Sequence, residues 1–125
     1  MKLKQWIPGQ PNVAMRRITA PNPEGHWLVN PGDFYFCIEV DHEIVRVGPG
    51  EQRPTWCWFN DNRGAMHRIS INPHKQENGA GWKWDGNYEQ PTFKPSIKSW
   101  YPGDDGKEIV LWHGYIRGGI VGFEC

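Results

Sequence analysis

Three side chains in this sequence have the types needed for nucleophilic catalysis: Ser96, His113 and Asp85. A serine hydroxyl becomes a nucleophile when an imidazole takes its proton, and an acid can orient that imidazole. Because such a triad is defined by geometry and not by chain order, the wide spacing is no obstacle. Against it, Ser96 follows Pro95 and has none of the glycine-flanked context of a nucleophile elbow. The plainer reading gives Asp85 to a turn with Gly86-Asn87, Ser96 to the entry of a strand and His113 to a strand face.

A second set is Cys57, His67, His113 and Cys125. Two thiolates and two imidazoles are the ligands a structural zinc takes, at about 2.0–2.3 Å. The alternative is that the cysteines are small core residues, since a free thiol packs as a hydrophobe. Cys37 with His42 makes a poor nucleophile and base, because residues five apart on a strand point to opposite faces. A third set is aromatic: Trp82, Trp84, Phe93 and Trp112 would anchor a protein partner if exposed, as aromatic side chains do at interfaces. Their strand spacing also fits core packing.

The elements that must position these residues are strands. Phe34 to Val47 reads as two β-rich arms around Asp41-His42-Glu43, and Trp56 to Phe59 with Met66 to Ile71 repeats the pattern around Asn60-Asp61-Asn62-Arg63-Gly64. Trp82-Lys83-Trp84 alternates, which puts both tryptophans on one face. Pro91 to Ser96 is predicted to run extended or polyproline-like into Ile97 to Tyr101, and Pro102 to Gly106 turns the chain. Ile109 to Tyr115 and Ile120 to Phe123 flank Arg117-Gly118-Gly119, a further hairpin signature. The first 25 residues are punctuated by proline and read as an extended arm with one short strand between Val13 and Ile18.

Composition agrees. The 125 residues fit one domain, and 15 glycines with 11 prolines leave little room for long helices. Eight tryptophans, five phenylalanines and four tyrosines supply an aromatic core, each burying roughly 150–250 Å². Lysine plus arginine balance aspartate plus glutamate at 14 each, so no net field draws the chain to nucleic acid or an acidic membrane. No apolar run approaches the ~20 residues of a membrane span. Three widely spaced cysteines do not form a disulfide framework, and reduced thiols in a cytoplasmic setting are expected.

The segments Trp82-Lys83-Trp84-Asp85-Gly86-Asn87, Pro91-Thr92-Phe93-Lys94-Pro95-Ser96-Ile97 and Trp112-His113-Gly114-Tyr115-Ile116-Arg117 resemble a family of small phage and prophage proteins of unassigned function. Some of its members carry labels such as "ammonia monooxygenase". Relatives accompany bacterial ubiquitin-like conjugation operons, where a peptidase role has been suggested. The resemblance spans residues 56–125 and makes the first 50 an extension. It also implies a Cys-x-x-Cys element followed by histidine, a Cys-His pair opening the last hairpin and an Asp-Cys pair closing it. Here Cys57, His67, His113 and Cys125 match, whereas Asn60, Trp112 and Glu124 stand where cysteine, cysteine and aspartate are expected.

Together these readings predict an all-β single domain over 1–125, a small antiparallel sandwich or partly open barrel with an extended N-terminal arm that packs on a neighbour. The function expected is that of a phage-type accessory or virion-associated protein binding another protein, or its own copies, without catalysis or cofactor. Two alternatives stand beside it: a peptidase using Ser96 and His113, and a zinc-stabilised binding module. A host cytoplasm or the virion is the expected location.

Overall fold

The computed structural model describes residues 12–123. Among them every regular element is a strand: β1 (Asn12–Ala14), β2 (Arg16–Arg17), β3 (Asp33–Val40), β4 (Glu43–Val47), β5 (Trp56–Asn60), β6 (Met66–Ser70), β7 (Lys83–Trp84), β8 (Phe93–Pro102), β9 (Glu108–Arg117) and β10 (Ile120–Phe123). They form two sheets, β1-β10-β9-β8-β7 and β2-β3-β5-β6, with β4 added to β3. The sheets do not close into a barrel, and the fold is a small β-sandwich. Pairing between the named strands is antiparallel except for the short parallel contact of β2 with β3, and an isolated parallel bridge joins Ile71 to Trp82. No helix among the described residues is long and apolar enough to cross a membrane.

The predicted hairpins are present, and turn chemistry explains two of them. Asp41 and His42 both take positive φ between β3 and β4, as do Gly118 and Gly119 between β9 and β10. That backbone suits two-residue hairpin turns, whose twist matches the strands they join.

Alternation assigns the faces. Phe34, Phe36 and Ile38 of β3, Cys57 and Phe59 of β5, and Trp84, Phe93, Ile97, Trp112 and Ile116 of the other sheet meet in one core between the layers. The residues between them on β3 and β5 build a second cluster on the outer face, where Tyr35, Cys37 and Trp56 are covered by Trp27, Leu28 and Trp58. Two guanidiniums close that outer cluster, Arg46 at 3.9 Å from the Trp27 ring centroid and Arg68 at 4.0 Å from that of Trp56. Such stacking lets an arginine shield aromatic surface while its charge stays in water.

Three expectations change. The N-terminal quarter is not a free arm from residue 12 onward: β1 pairs with β10 and β2 with β3, so each sheet takes one edge strand from it. Residues 1–11 lie outside the described part. The first hairpin is no appendage either, because β3 sits between β2 and β5 and brings Phe34 and Phe36 into the core. Finally, the Pro-rich stretch does not wait until Ile97 to join a sheet. β8 already pairs at Phe93 with β7 and β9, and Pro95 is absorbed by a shift of register between Phe93 and Ile97. An irregularity of this kind re-aims side chains and is tolerated where a strand must accept a residue with no N–H.

Candidate active site

The central pair of the first sheet, β8 and β9, carries the serine and the histidine. Ile97 faces Gly114 and Lys98 faces His113 in the register. Ile97, Trp112, Gly114 and Ile116 point into the sandwich, so alternation turns Ser96, Lys98, His113 and Arg117 to the outer face. A Cβ on Gly114 would collide with the Trp112 indole and with the Gly122 carbonyl. Glycine there lets the indole lie flat under the strand that carries His113.

The register shift sets Ser96 diagonally across from His113. Their side chains meet, Oγ to Nε2 at 3.2 Å. With the imidazole protonated on Nδ1, the Ser96 hydroxyl donates to Nε2, which is the contact a serine needs to lose its proton during attack. The Trp82 indole Nε1–H donates to the Ser96 carbonyl at 3.3 Å and ties down the backbone from the other side. Beside the hydroxyl lies an open groove of about 410 Å³ lined by Phe93, Lys94, Pro95, Ser96, Tyr115 and Arg117. The Tyr115 hydroxyl donates to Asn12 Oδ1 at 2.9 Å, and the Arg117 guanidinium lies 4.3 Å from the Tyr115 ring centroid, so one wall is braced.

Asp85 does not join the pair. Its Oδ1 accepts the backbone N–H of Asn87 at 3.0 Å and of Thr92 at 3.2 Å. This is an Asx turn, the local bonding aspartate favours ahead of glycine. Among the described residues no carboxylate hydrogen-bonds His113, and the arrangement is a dyad.

A second histidine does have an acid. Asp61 opens the turn between β5 and β6, where its Oδ1 accepts the N–H of Arg63 at 2.7 Å and of Ala65 at 3.1 Å. Its Oδ2 accepts from His67 Nε2 at 2.6 Å. Burial by itself would raise the Asp61 pKa. The hydrogen bonds from His67 and from the Arg63 and Ala65 amides, with the attraction of His67, hold it below the ordinary carboxylate value instead. The His67 ring lies against Phe59 and Trp112, with centroids 5.3 Å and 5.2 Å away. Sequence reasoning gave Asp61 only to a turn; the one available hint was that it stands six residues before His67 across a tight reversal.

This chain belongs to the BubE family. The family described as "Bacterial ubiquitination-like system serine protease (BubE)" matches residues 28–123, well over half of the chain. No curated protein and no solved structure matches it. The match starts at residue 28, so the likeness reaches past the segment 56–125 on which the resemblance rested and takes in the first hairpin. The BubE description joins serine protease chemistry to a ubiquitination-like system, which favours the peptidase alternative over a protein that only binds.

The remaining candidates are placed as follows. Cys57 is fully buried in the core, His67 is bonded to Asp61 and His113 to Ser96, while Cys125 lies outside the described residues. Among the described residues no group of three or more His, Cys, Asp or Glu is disposed to hold a metal ion. Nor do Trp82, Trp84, Phe93 and Trp112 form a docking patch: all four are core side chains, no more than 9% exposed, because sheet alternation turns them inward. The large apolar side chains that do face water include Trp100, Tyr101, Ile109, Val110 and Leu111, at the far end of the β8–β9 hairpin. Cys37 is buried on the outer cluster, and burial pushes its thiol up to about 11. Burial, with the nearby Cys37, likewise raises the Cys57 thiol well above its ordinary value.

Proposed function

We propose that this protein is a serine peptidase that cuts a protein substrate of a bacterial ubiquitination-like system, with Ser96 as nucleophile and His113 as general base. The observation that carries this reading is the 3.2 Å contact of Ser96 Oγ with His113 Nε2 on an open face, beside a groove. The family description supplies the reaction class and the setting.

In the first step Ser96 Oγ bonds to the scissile carbonyl carbon while its proton passes to His113 Nε2. As the tetrahedral intermediate collapses, the C–N bond breaks and His113 returns that proton to the leaving amine. Water, deprotonated by the same imidazole, then hydrolyses the acyl ester and regenerates the hydroxyl. Among the described residues no carboxylate orients His113, so the imidazole relies on Ser96 and on its place in β9. A dyad of this kind retains nucleophile and base and gives up the charge stabilisation that a buried acid provides.

The test is covalent. A fluorophosphonate should label the folded protein once, at Ser96 by peptide mapping, and Ser96→Ala should abolish labelling while leaving the circular dichroism spectrum intact. Equal labelling of the alanine variant, or none of the wild type, removes the reading.

A second reading, protein binding without catalysis, draws on the exposed apolar tip of the β8–β9 hairpin. Isolated apolar side chains on a surface mean little, but register puts Trp100 opposite Val110 on one face of the hairpin and Tyr101 opposite Ile109 on the other, so its tip is apolar on both sides. Such a tip also suits a peptidase that must hold a folded substrate.

A further inference from the structure

Two lysines stand directly opposite one another next to the groove. Lys83 of β7 is the register partner of Lys94 of β8, and both are exposed. Like charges on facing positions of an antiparallel pair repel at Cβ separations of roughly 4.5–5.5 Å, so the arrangement works against the fold. Their strand neighbours Trp84 and Phe93 are core residues, which fixes both ammonium groups to the outer face. Lys94 lines the same groove as Ser96, and Arg117 lines its other side. The chain as a whole has a formal net charge of zero, so this positive concentration is local.

Two acids of the adjoining segment are engaged: Asp85 Oδ1 accepts two backbone N–H groups, and Glu89 pairs with Arg17 at 2.6 Å. Among the described residues no carboxylate lies within ion-pair distance of Lys83 or Lys94. A negative group from outside would relieve the repulsion between them and gain attraction from both.

Resting on the reading of Ser96 and His113 given above, we infer that Lys83 and Lys94 are specificity determinants that favour substrates carrying a carboxylate a few bonds from the scissile carbonyl. The carboxylate is that of an acidic side chain or a chain terminus. Both lysines are solvent-exposed, so the preference is modest and falls as salt screens it.

Two esters of one size test this: mono-4-nitrophenyl adipate, which bears a free carboxylate, and the same compound capped as its methyl ester. The full-length protein is expected to hydrolyse the charged ester with a kcat/KM about fivefold above the capped one after correction for spontaneous hydrolysis. That ratio should fall towards one in Lys83→Gln/Lys94→Gln and in 0.5 M NaCl. The preference is overturned, with the serine reading intact, if Ser96-dependent hydrolysis occurs at equal efficiency on both esters, or if the ratio survives the double substitution. Hydrolysis of neither ester above the Ser96→Ala background overturns both. A free-amine analogue, 4-nitrophenyl 6-aminohexanoate, should be the poorest of the three substrates; if it matches the adipate, charge is not what Lys83 and Lys94 read.

Discussion

Two histidines sit on opposite sides of one strand's influence. His113 projects outward from β9 to Ser96 at 3.2 Å, in contact with solvent and, among the described residues, with no acid bonded to it. His67 projects into the sandwich, where it is bonded at 2.6 Å to a fully buried aspartate and packed on Trp112, the residue preceding His113. By bond geometry alone the buried pair is the stronger, since a charge-assisted hydrogen bond shortens and strengthens away from water. It is nevertheless the pair that serves the fold, because the His67 side chain is only 9% exposed and packs against Phe59 and Trp112. A catalytic imidazole must reach substrate, and of these two it is His113 that faces outward. The comparison separates having a partner from having access.

The largest effect should come from removing the exposed base. His113→Ala is expected to lower kcat/KM on 4-nitrophenyl acetate by about 10³-fold or more, as loss of a triad member does elsewhere. Its urea midpoint should change little, because the side chain is exposed. Should His67→Gln, folded, lose as much activity as His113→Ala, the roles assigned to the two histidines would be reversed.

Asp61→Ala should do the opposite, unsettling the fold more than the chemistry. It leaves His67 and two turn amides without their acceptor, at a cost of about 3 kcal/mol read as a fall in the urea midpoint. The acid limb carries a signature as well. The Asp61 pKa is lower in the folded state than its ordinary 3.8, so its stabilisation is fully present above that value and fades as pH falls through the folded value. The stability of the wild type should therefore decline in this range more steeply than that of Asp61→Asn, and parallel curves would argue that the carboxylate is not held down by His67.

Asp85→Ala sharpens the dyad. With its carboxylate committed to a turn, the substitution should cost about 1 kcal/mol of stability and less than tenfold in kcat/KM. A loss on the scale of His113→Ala would restore Asp85 as the third member of a triad. The smallest effect concerns the thiols: Cys37, at about 11, and Cys57, higher than usual, should resist iodoacetamide in the native protein at pH 8 and react once it is unfolded in urea.

Much of the architecture was legible because it is written in local patterns. Trp82-Lys83-Trp84 alternates, and the two indoles are inside with the lysine outside. The Asn60 to Gly64 cluster turns the chain, as Gly118-Gly119 does. What misled was the proline content of the first quarter and of Pro91 to Pro95, which suggested chain lying outside the sheets. Proline removes one donor from a ladder; it does not stop the residues on either side from pairing, and β1, β2 and the start of β8 pair around it.

The sequence by itself determined that the chain is β throughout its described length, where the hairpins turn, and that Ser96, His113 and Asp85 were the hydroxyl, imidazole and carboxylate to weigh for catalysis. Only the tertiary structure decided which of them meet. Ser96 reaches His113 because β8 slips register against β9 ahead of Ile97, and Asp85 does not because the backbone amides of Asn87 and Thr92, two and seven residues further along the chain, claim its oxygen first. Pairing of Asp61 with His67 depends likewise on a turn folding a buried carboxylate onto an imidazole that packs against an indole from the other sheet. Residue type and alternation are local properties and can be read along the chain; register and the competition for a hydrogen-bond acceptor exist only once strands are laid side by side.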